Sequence, residues 1–301
     1  MKLTGLHLIL TYQCTFECDH CFVWGSPWQE GTMRFSEIQS ILSQAKSLET
    51  IDWIYFEGGE PTILYPILLK SVQAASSDGF NVGLVSNAYW ANSLEDALIW
   101  LQPFKGLVQD FSISSDLYHY SEKLSRQAQF AAAAATELGI PTGVISIAPP
   151  DMKLTSSPSG ILPAGESSLM YRGRAAVKLS PHTSHHPWKE FNSCPHEDLV
   201  EPGRVHIDPL GTIHICQGIS LGNVFQKPLQ QIVDEYIPLA HPILAPLYQG
   251  GPAALVEKYE VPHEEVYADA CHLCYSTRNA LREHFPEILT PDQVYGVYNS
   301  N

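Results

Sequence analysis

Thr11-Tyr12-Gln13-Cys14-Thr15-Phe16-Glu17-Cys18-Asp19-His20-Cys21 sets three cysteines at C-x3-C-x2-C. The stretch directly follows Gly5-Leu6-His7-Leu8-Ile9-Leu10, an apolar run with the length and branching of a buried strand. Three thiolates offered by one loop can each bind one iron of a four-iron cluster, leaving the fourth iron open to a substrate or cofactor. On spacing alone the competing readings are a zinc site that borrows a ligand from elsewhere, or three buried unligated thiols.

Outward from this loop the same kind of run recurs at Trp53-Ile54-Tyr55-Phe56, Val82-Gly83-Leu84-Val85, Phe111-Ser112-Ile113-Ser114 and Gly143-Val144-Ile145-Ser146-Ile147. After a longer first interval the spacing is about 30 residues, which suits βα units. Ser36-Glu37-Ile38-Gln39 reads as a capping box opening a helix to about Leu48, and Ser121 to Leu138 predicts a second helix holding the run Ala131 to Ala135. This alternation predicts a parallel sheet covered by helices, with ligands at the carboxyl ends of the strands. Asp151 to Ser168, rich in Pro, Ser and Gly, reads as a loop, and Leu169 to Leu179, carrying Tyr171-Arg172-Gly173-Arg174, as a sixth strand. Ser180 to Trp188 looks like a linker. Beyond it, Arg204-Val205-His206-Ile207-Asp208, a turn at Pro209-Leu210-Gly211 and Thr212-Ile213-His214-Ile215-Cys216 form a hairpin pattern.

The composition narrows the function classes. Of 301 residues, 45% are hydrophobic and 16% charged, against a usual charged share of about 25%, so the chain can fill a sizeable core and is not disordered. Its 17 basic and 32 acidic residues give a net charge of -15, which argues against a sequence-independent grip on nucleic acid or on an anionic membrane. The opening Met1-Lys2 and Leu3 to Leu10 superficially resemble a signal peptide, but the run is short, holds His7 and lacks a small-residue cleavage site. No run reaches the roughly 18 apolar residues of a membrane helix. A cytoplasmic protein is expected. There thiols stay reduced, and seven cysteines, an odd number, suit metal ligation better than a disulfide framework.

The C-x3-C-x2-C loop after a first strand resembles the hallmark of the radical S-adenosylmethionine superfamily, and the likeness covers most of residues 5 to 180. It implies a partial (β/α)6 TIM-like barrel over residues 1–180. It also implies a [4Fe-4S] cluster on Cys14, Cys18 and Cys21 that binds S-adenosylmethionine and cleaves it reductively to a 5'-deoxyadenosyl radical. His20 departs from the family, which usually has an aromatic residue before the third cysteine. Phe56-Glu57-Gly58-Gly59-Glu60-Pro61 ends the second predicted strand; its paired glycines permit close backbone approach, although alone it would be an ordinary strand-to-helix turn. One unit after the cysteine loop, Gly58, Gly59, Glu60 and Pro61 match the family motif that holds the cofactor's amino group. The resemblance further suggests cofactor contacts from Ser86 and Asn87 after the third strand and from Ser114 and Asp116 after the fourth. Arg126 can pair with the cofactor carboxylate or lie on a solvated helix face.

Cys194, Cys216, Cys271 and Cys274 remain, and Cys271-His272-Leu273-Cys274 is a two-ligand knuckle shared by zinc and iron–sulfur sites. The hairpin followed by Gly218-Ile219-Ser220-Leu221-Gly222-Asn223-Val224 resembles the auxiliary-cluster extension of the same superfamily, called SPASM in full and twitch when shortened. Residues 181–301 are therefore expected to form a small α+β iron–sulfur domain with one auxiliary [4Fe-4S] cluster; structural zinc and unligated thiols are the alternatives. His182, His185, His186 and His196 surround Cys194 and read as a solvated loop.

The resemblance implies a peptide substrate, since auxiliary-cluster members commonly modify ribosomal peptides, and a low-potential electron donor of flavodoxin or ferredoxin type. Three plus four ligands consume all seven cysteines, so no spare thiol is left to return hydrogen in an epimerisation; oxidation or cross-linking is favoured, with Tyr118 as the other candidate donor. A small metabolite or cofactor precursor is the alternative substrate. A non-catalytic zinc or iron–sulfur scaffold is the alternative class.

Overall fold

The computed structural model describes residues 1–122, 124–148, 150 and 165–297. Five βα-type strands appear where the apolar runs place them: β1 (Leu3–Ile9), β2 (Trp53–Glu57), β3 (Asn81–Ser86), β4 (Asp110–Ser114) and β5 (Thr142–Ile147). The helices between them are α1 (Phe35–Ser47), α2 (Tyr65–Ser77), α3 (Leu94–Leu101) and α4 (Arg126–Leu138). Helix α1 opens two residues earlier than its capping signal suggests: Arg34 rather than Ser36 is the N-cap, and its N–H donates to Glu37 Oε2 at 2.7 Å. Helix α4 starts later than Ser121, because Ser125 caps it, accepting from Ala128 N at 3.1 Å, and Gly139 closes it in the left-handed conformation at φ 72°.

The sixth strand is not Leu169–Leu179. Strand β6 is Gly165–Ser167, and α5 (Arg174–Lys178) is a helix. Gly173, at φ +59°, breaks extended geometry between the two, and Ala175 and Ala176 then bury against the protein as good helix formers. The part of the expected Asp151–Ser168 loop up to residue 164 lies outside the described residues.

The remaining elements are β7 (His186–Pro187), β8 (Gly203–Ile207), β9 (Thr212–Cys216), β10 (Ile219–Asn223), α6 (Leu229–Asp234), α7 (Leu244–Tyr259), β11 (Val266–Tyr267) and α8 (Ala270–Ala280). The expected hairpin is β8–β9, its turn held by Asp208 Oδ1, which accepts from Leu210 N and Thr212 N at 2.9 Å each.

The nine-stranded sheet runs β10-β9-β8-β1-β2-β3-β4-β5-β6. From β8 to β6 every neighbouring pair is parallel, and β8–β9 and β9–β10 are antiparallel. This is the mixed, mostly parallel α/β architecture of a partial barrel rather than a closed one. Alternation along each strand divides the faces. Leu6, Leu8, Ile54, Phe56, Val82, Leu84, Phe111 and Ile113 pack into one core with α1 to α4 and α6, so His7, Tyr55 and Glu57 lie on the opposite face, turned from the helices. Because β8 pairs with β1, the strands after residue 180 continue the sheet, and a second core joins Ile9, Tyr12 and Val23 to Ile215, Leu247 and Tyr275. Among the described residues no helix is long and apolar enough to cross a membrane.

Candidate active site

The cysteine loop leaves the carboxyl end of β1 and is pinned by its own backbone. Cys14 N donates to Ser26 O at 3.0 Å and Cys21 N to Cys18 O at 3.1 Å. Cys14 and Cys18 are buried, Cys21 is half-buried, and all three are free thiols. Burial pushes the Cys14 thiol up to about 12, and burial, followed by the charges of Cys21 and Cys14, pushes Cys18 higher still. Thiols so placed stay protonated by themselves and would release their protons on binding a metal ion or cluster. The Sγ of Cys21 also accepts the Gly25 N–H at 3.1 Å, the kind of contact that stabilises a thiolate.

Gly58 and Gly59 are required by the loop itself. Gly59 N donates to Thr11 O at 2.7 Å and Glu60 N to Gln13 O at 2.9 Å. A Cβ at Gly59 would sit 2.2 Å from Gln13 O, and one at Gly58 2.6 Å from Thr11 O. The close approach expected of these glycines is therefore to the cysteine loop's backbone. Glu60, buried ahead of the Pro61 turn, accepts from Thr62 N (3.1 Å), Thr62 Oγ1 (2.6 Å), Ser86 Oγ (3.0 Å) and Asn87 N (2.7 Å). Asn87 Nδ2 in turn donates to Thr15 Oγ1 at 3.1 Å and lies 3.7 Å from Cys14 Sγ. The ends of β2 and β3 thus form one network against the first cysteine.

Asp116, past the end of β4, is buried and accepts on Oδ1 from Tyr118 N (2.9 Å), His119 N (3.2 Å) and the His119 ring (2.9 Å), and on Oδ2 from Ile147 N (3.1 Å). Burial, the largest influence, favours the neutral acid, but the His119 hydrogen bond and charge, with His20 and Ile147 N, outweigh it and hold the carboxyl down at about 2. The His20 ring stands 4.8 Å from that of Tyr118 and 5.1 Å from that of His119, so it fills an aromatic position while adding a polar atom. Tyr118 OH reaches Ala148 O at 3.4 Å. Ser114 is half-buried at the end of β4, whereas Arg126 is exposed at the start of α4.

Cys194, Cys216, Cys271 and Cys274 line a single cavity together with Arg172, His196, Glu197 and Arg278. Asp269 caps α8, accepting from His272 N at 2.7 Å, and so presents the knuckle cysteines on the first turns of that helix. His182, His185 and His186 are exposed, as expected of a loop. His196 departs from it: its ring, Asp269 and Cys271 bring ligand atoms within 4.8 Å of one another.

Residues 172–174 connect the two cysteine sets. Arg174, buried, donates to Cys18 O at 2.7 Å and Gly25 O at 2.8 Å, while Arg172 Nη1 lies 3.3 Å from Cys216 Sγ and 3.5 Å from Glu197. A Cβ on Gly173 would meet Cys21 O at 2.6 Å. Sequence reasoning assigned neither arginine a role; the signal was two cations around a glycine in a chain with only 17 basic residues.

A half-open parallel sheet with three free thiols at the end of its first strand defines a class of fold. Solved structures share it. The chain superposes on BtrN in complex with AdoMet and 2-DOIA with a TM-score of 0.51 at 14% identity, covering 77% of this chain and 82% of that one. It superposes on anSMEcpe with bound AdoMet and the Kp18Cys peptide with a TM-score of 0.50 at 12% identity, covering 94% and 97%. The chain shares the fold of these two AdoMet-bound proteins, a half-open sheet of the kind that the resemblance of its cysteine loop implied.

By sequence, it is 28% identical over 111 residues to the putative peptide biosynthesis protein YydG of Bacillus subtilis (strain 168), 36% of this chain and 35% of that protein. It is 32% identical over 83 residues to the tungsten-containing aldehyde ferredoxin oxidoreductase cofactor-modifying protein of Pyrococcus furiosus, 27% of this chain and 23% of that protein. The matches thus span about a third or less of these relatives' lengths. No family model matches the chain.

Proposed function

We propose that this chain is a radical S-adenosylmethionine enzyme that modifies a peptide. The observation that carries the reading is the packing of Gly58-Gly59-Glu60 directly on the Cys14–Cys21 loop, which joins both motifs into one site. When bound there, a [4Fe-4S] cluster with S-adenosylmethionine supplies one-electron cleavage to a 5'-deoxyadenosyl radical. The chain's own residues hold and shape the site. Cys14, Cys18 and Cys21 are the ligands; Glu60, Ser86 and Asn87 fix the ends of β2 and β3 against Cys14. Asp116 stays ionised and orients His119, and Ser114 and Asp116 would hold the sugar and carboxylate side of the cofactor. Arg126 contributes only if its exposed side chain turns inward.

The likeness to YydG, named for peptide biosynthesis, supports a peptide substrate. The Pyrococcus protein, named for cofactor modification, keeps a small cofactor precursor as the second reading. The gathering of Cys194, Cys216, Cys271 and Cys274 around one cavity supports a fully ligated auxiliary cluster. With seven cysteines so used, oxidation or cross-linking is favoured over thiol-quenched epimerisation; Tyr118 is the hydrogen donor that epimerisation would require instead. Electrons would come from a flavodoxin- or ferredoxin-type donor, and residues 1–180 and 181–301 would divide the work between substrate activation and the auxiliary cluster.

Turnover in heavy water with a peptide that stimulates 5'-deoxyadenosine formation tests the outcome. Oxidation removes two hydrogens from the peptide and adds no deuterium; a mass gain of one carbon-bound deuterium would contradict it and indicate epimerisation. About eight iron per chain after reconstitution fits two clusters, while about four iron with one zinc would assign the second set to structural zinc.

A further inference from the structure

His7 on β1, Glu57 on β2 and His206 on β8 meet on the face of the sheet turned away from the helices. They are 2%, 8% and 6% exposed. Their ligand atoms all lie within 4.8 Å of one another. His7 Nδ1 stands 3.4 Å from Glu57 Oε2, and His206 Nε2 stands 3.2 Å from Glu57 Oε1. Glu57 Oε1 and His206 Nδ1 have no hydrogen-bond partner although both are buried.

At two other buried carboxylates in this molecule, histidine closes tightly. His119 approaches Asp116, and His214 approaches Asp208, at 2.9 Å each, the separation of a charge-assisted hydrogen bond. The two imidazoles at Glu57 stand off by several tenths of an ångström, and one does not form a hydrogen bond at all. A buried carboxylate oxygen that accepts no hydrogen bond is costly, and a cation among the three groups would offset that cost. Ligands at 2.0–2.1 Å from a tetrahedral ion lie about 3.3 Å apart along its edges; here each imidazole stands beside its own Glu57 oxygen, and one ligand atom from each of the three residues lies within 4.8 Å of the others, close enough for one ion to draw them together.

We propose that His7, Glu57 and His206 form a binding site for one divalent transition cation, separate from both cysteine sets. Two imidazoles and one carboxylate are the donor set that zinc and ferrous iron take when positions are left open. Tyr55 stacks on His7 at 4.6 Å and fixes its ring. Arg204, the nearby cation, is held by Glu197 at 3.5 Å. An ion here would place a Lewis acid one residue from Gly58, and the site does not depend on the radical reading.

The test uses zinc as the probe on cluster-loaded, full-length protein. After anaerobic zinc addition and passage over chelating resin, metal content is counted and the zinc X-ray absorption fine structure is recorded. The expected result is about one zinc per chain in a shell of nitrogen and oxygen at about 2.0–2.1 Å without sulfur. His7→Ala and Glu57→Gln are expected to lower retained zinc at least about tenfold while iron and sulfide stay unchanged. No retained zinc, a shell containing sulfur, or unchanged zinc in both variants overturns the proposal. The wild-type shell is read without any variant, so it decides the matter even where a substitution disturbs folding.

Discussion

At Gly59 the tolerance for change is smallest, because a methyl group there would lie 2.2 Å from a backbone oxygen of the cysteine loop. Gly59→Ala is expected to cost about 2–3 kcal/mol and to lower the iron retained after reconstitution, read by thermal unfolding and iron analysis. Asp116 makes a pH prediction. Its carboxyl is depressed from 3.8 to about 2, so its contribution is present above pH 4 and is lost as pH falls through the folded value. Asp116→Asn is expected to remove roughly 2 kcal/mol of stability at neutral pH and to flatten the acid limb between pH 4 and 2. Equal slopes for wild type and variant in denaturant titrations across that window would contradict the assignment.

Among elements, the turn at residues 172–174 is where the two cysteine sets meet. Arg172 lies against Cys216, so Arg172→Gln is expected to lower the reduction potential of a cluster on the second set by tens of millivolts, a lost nearby cation favouring the oxidised form. Arg174 clamps the carbonyls of Cys18 and Gly25, so Arg174→Gln is expected to reduce iron at the first set instead. Redox titration followed by electron paramagnetic resonance separates the two effects, and a variant that alters both equally would show that the turn acts only as scaffold.

The strands and the hairpin were legible because period-two apolar runs and turn residues are local signals. The turn at Arg172 was not, because Leu169–Leu179 has strand-like composition and only Gly173, pressed on Cys21, forces the reversal. The helix starts slipped for a similar reason: Arg34 and Ser125 cap through contacts that several serines and acids nearby could equally have made.

For the whole molecule, the cysteine trio and the Gly-Gly-Glu-Pro motif could be found in sequence because each is contiguous. The histidines and Glu57 on the inner sheet face could not, since β1, β2 and β8 bring them together from far apart. The buried Tyr12–Asp208 hydrogen bond of 2.8 Å, with His214 at 2.9 Å, ties the first loop to the β8–β9 turn and makes the C-terminal strands part of the site's frame. Tyr12→Phe is expected to cost about 1–3 kcal/mol in denaturant unfolding by leaving a buried carboxylate short of a donor.

The central claim is that Cys14, Cys18 and Cys21 support S-adenosylmethionine cleavage. Its most direct test is 5'-deoxyadenosine released per chain after anaerobic reconstitution, reduction and addition of S-adenosylmethionine, in wild type beside the Cys14→Ala, Cys18→Ala, Cys21→Ala triple variant. The expected result is clear formation by wild type and none by the variant. No product from an iron-loaded wild-type chain, or equal product from both, would contradict it and leave the protein as a metal-bearing scaffold.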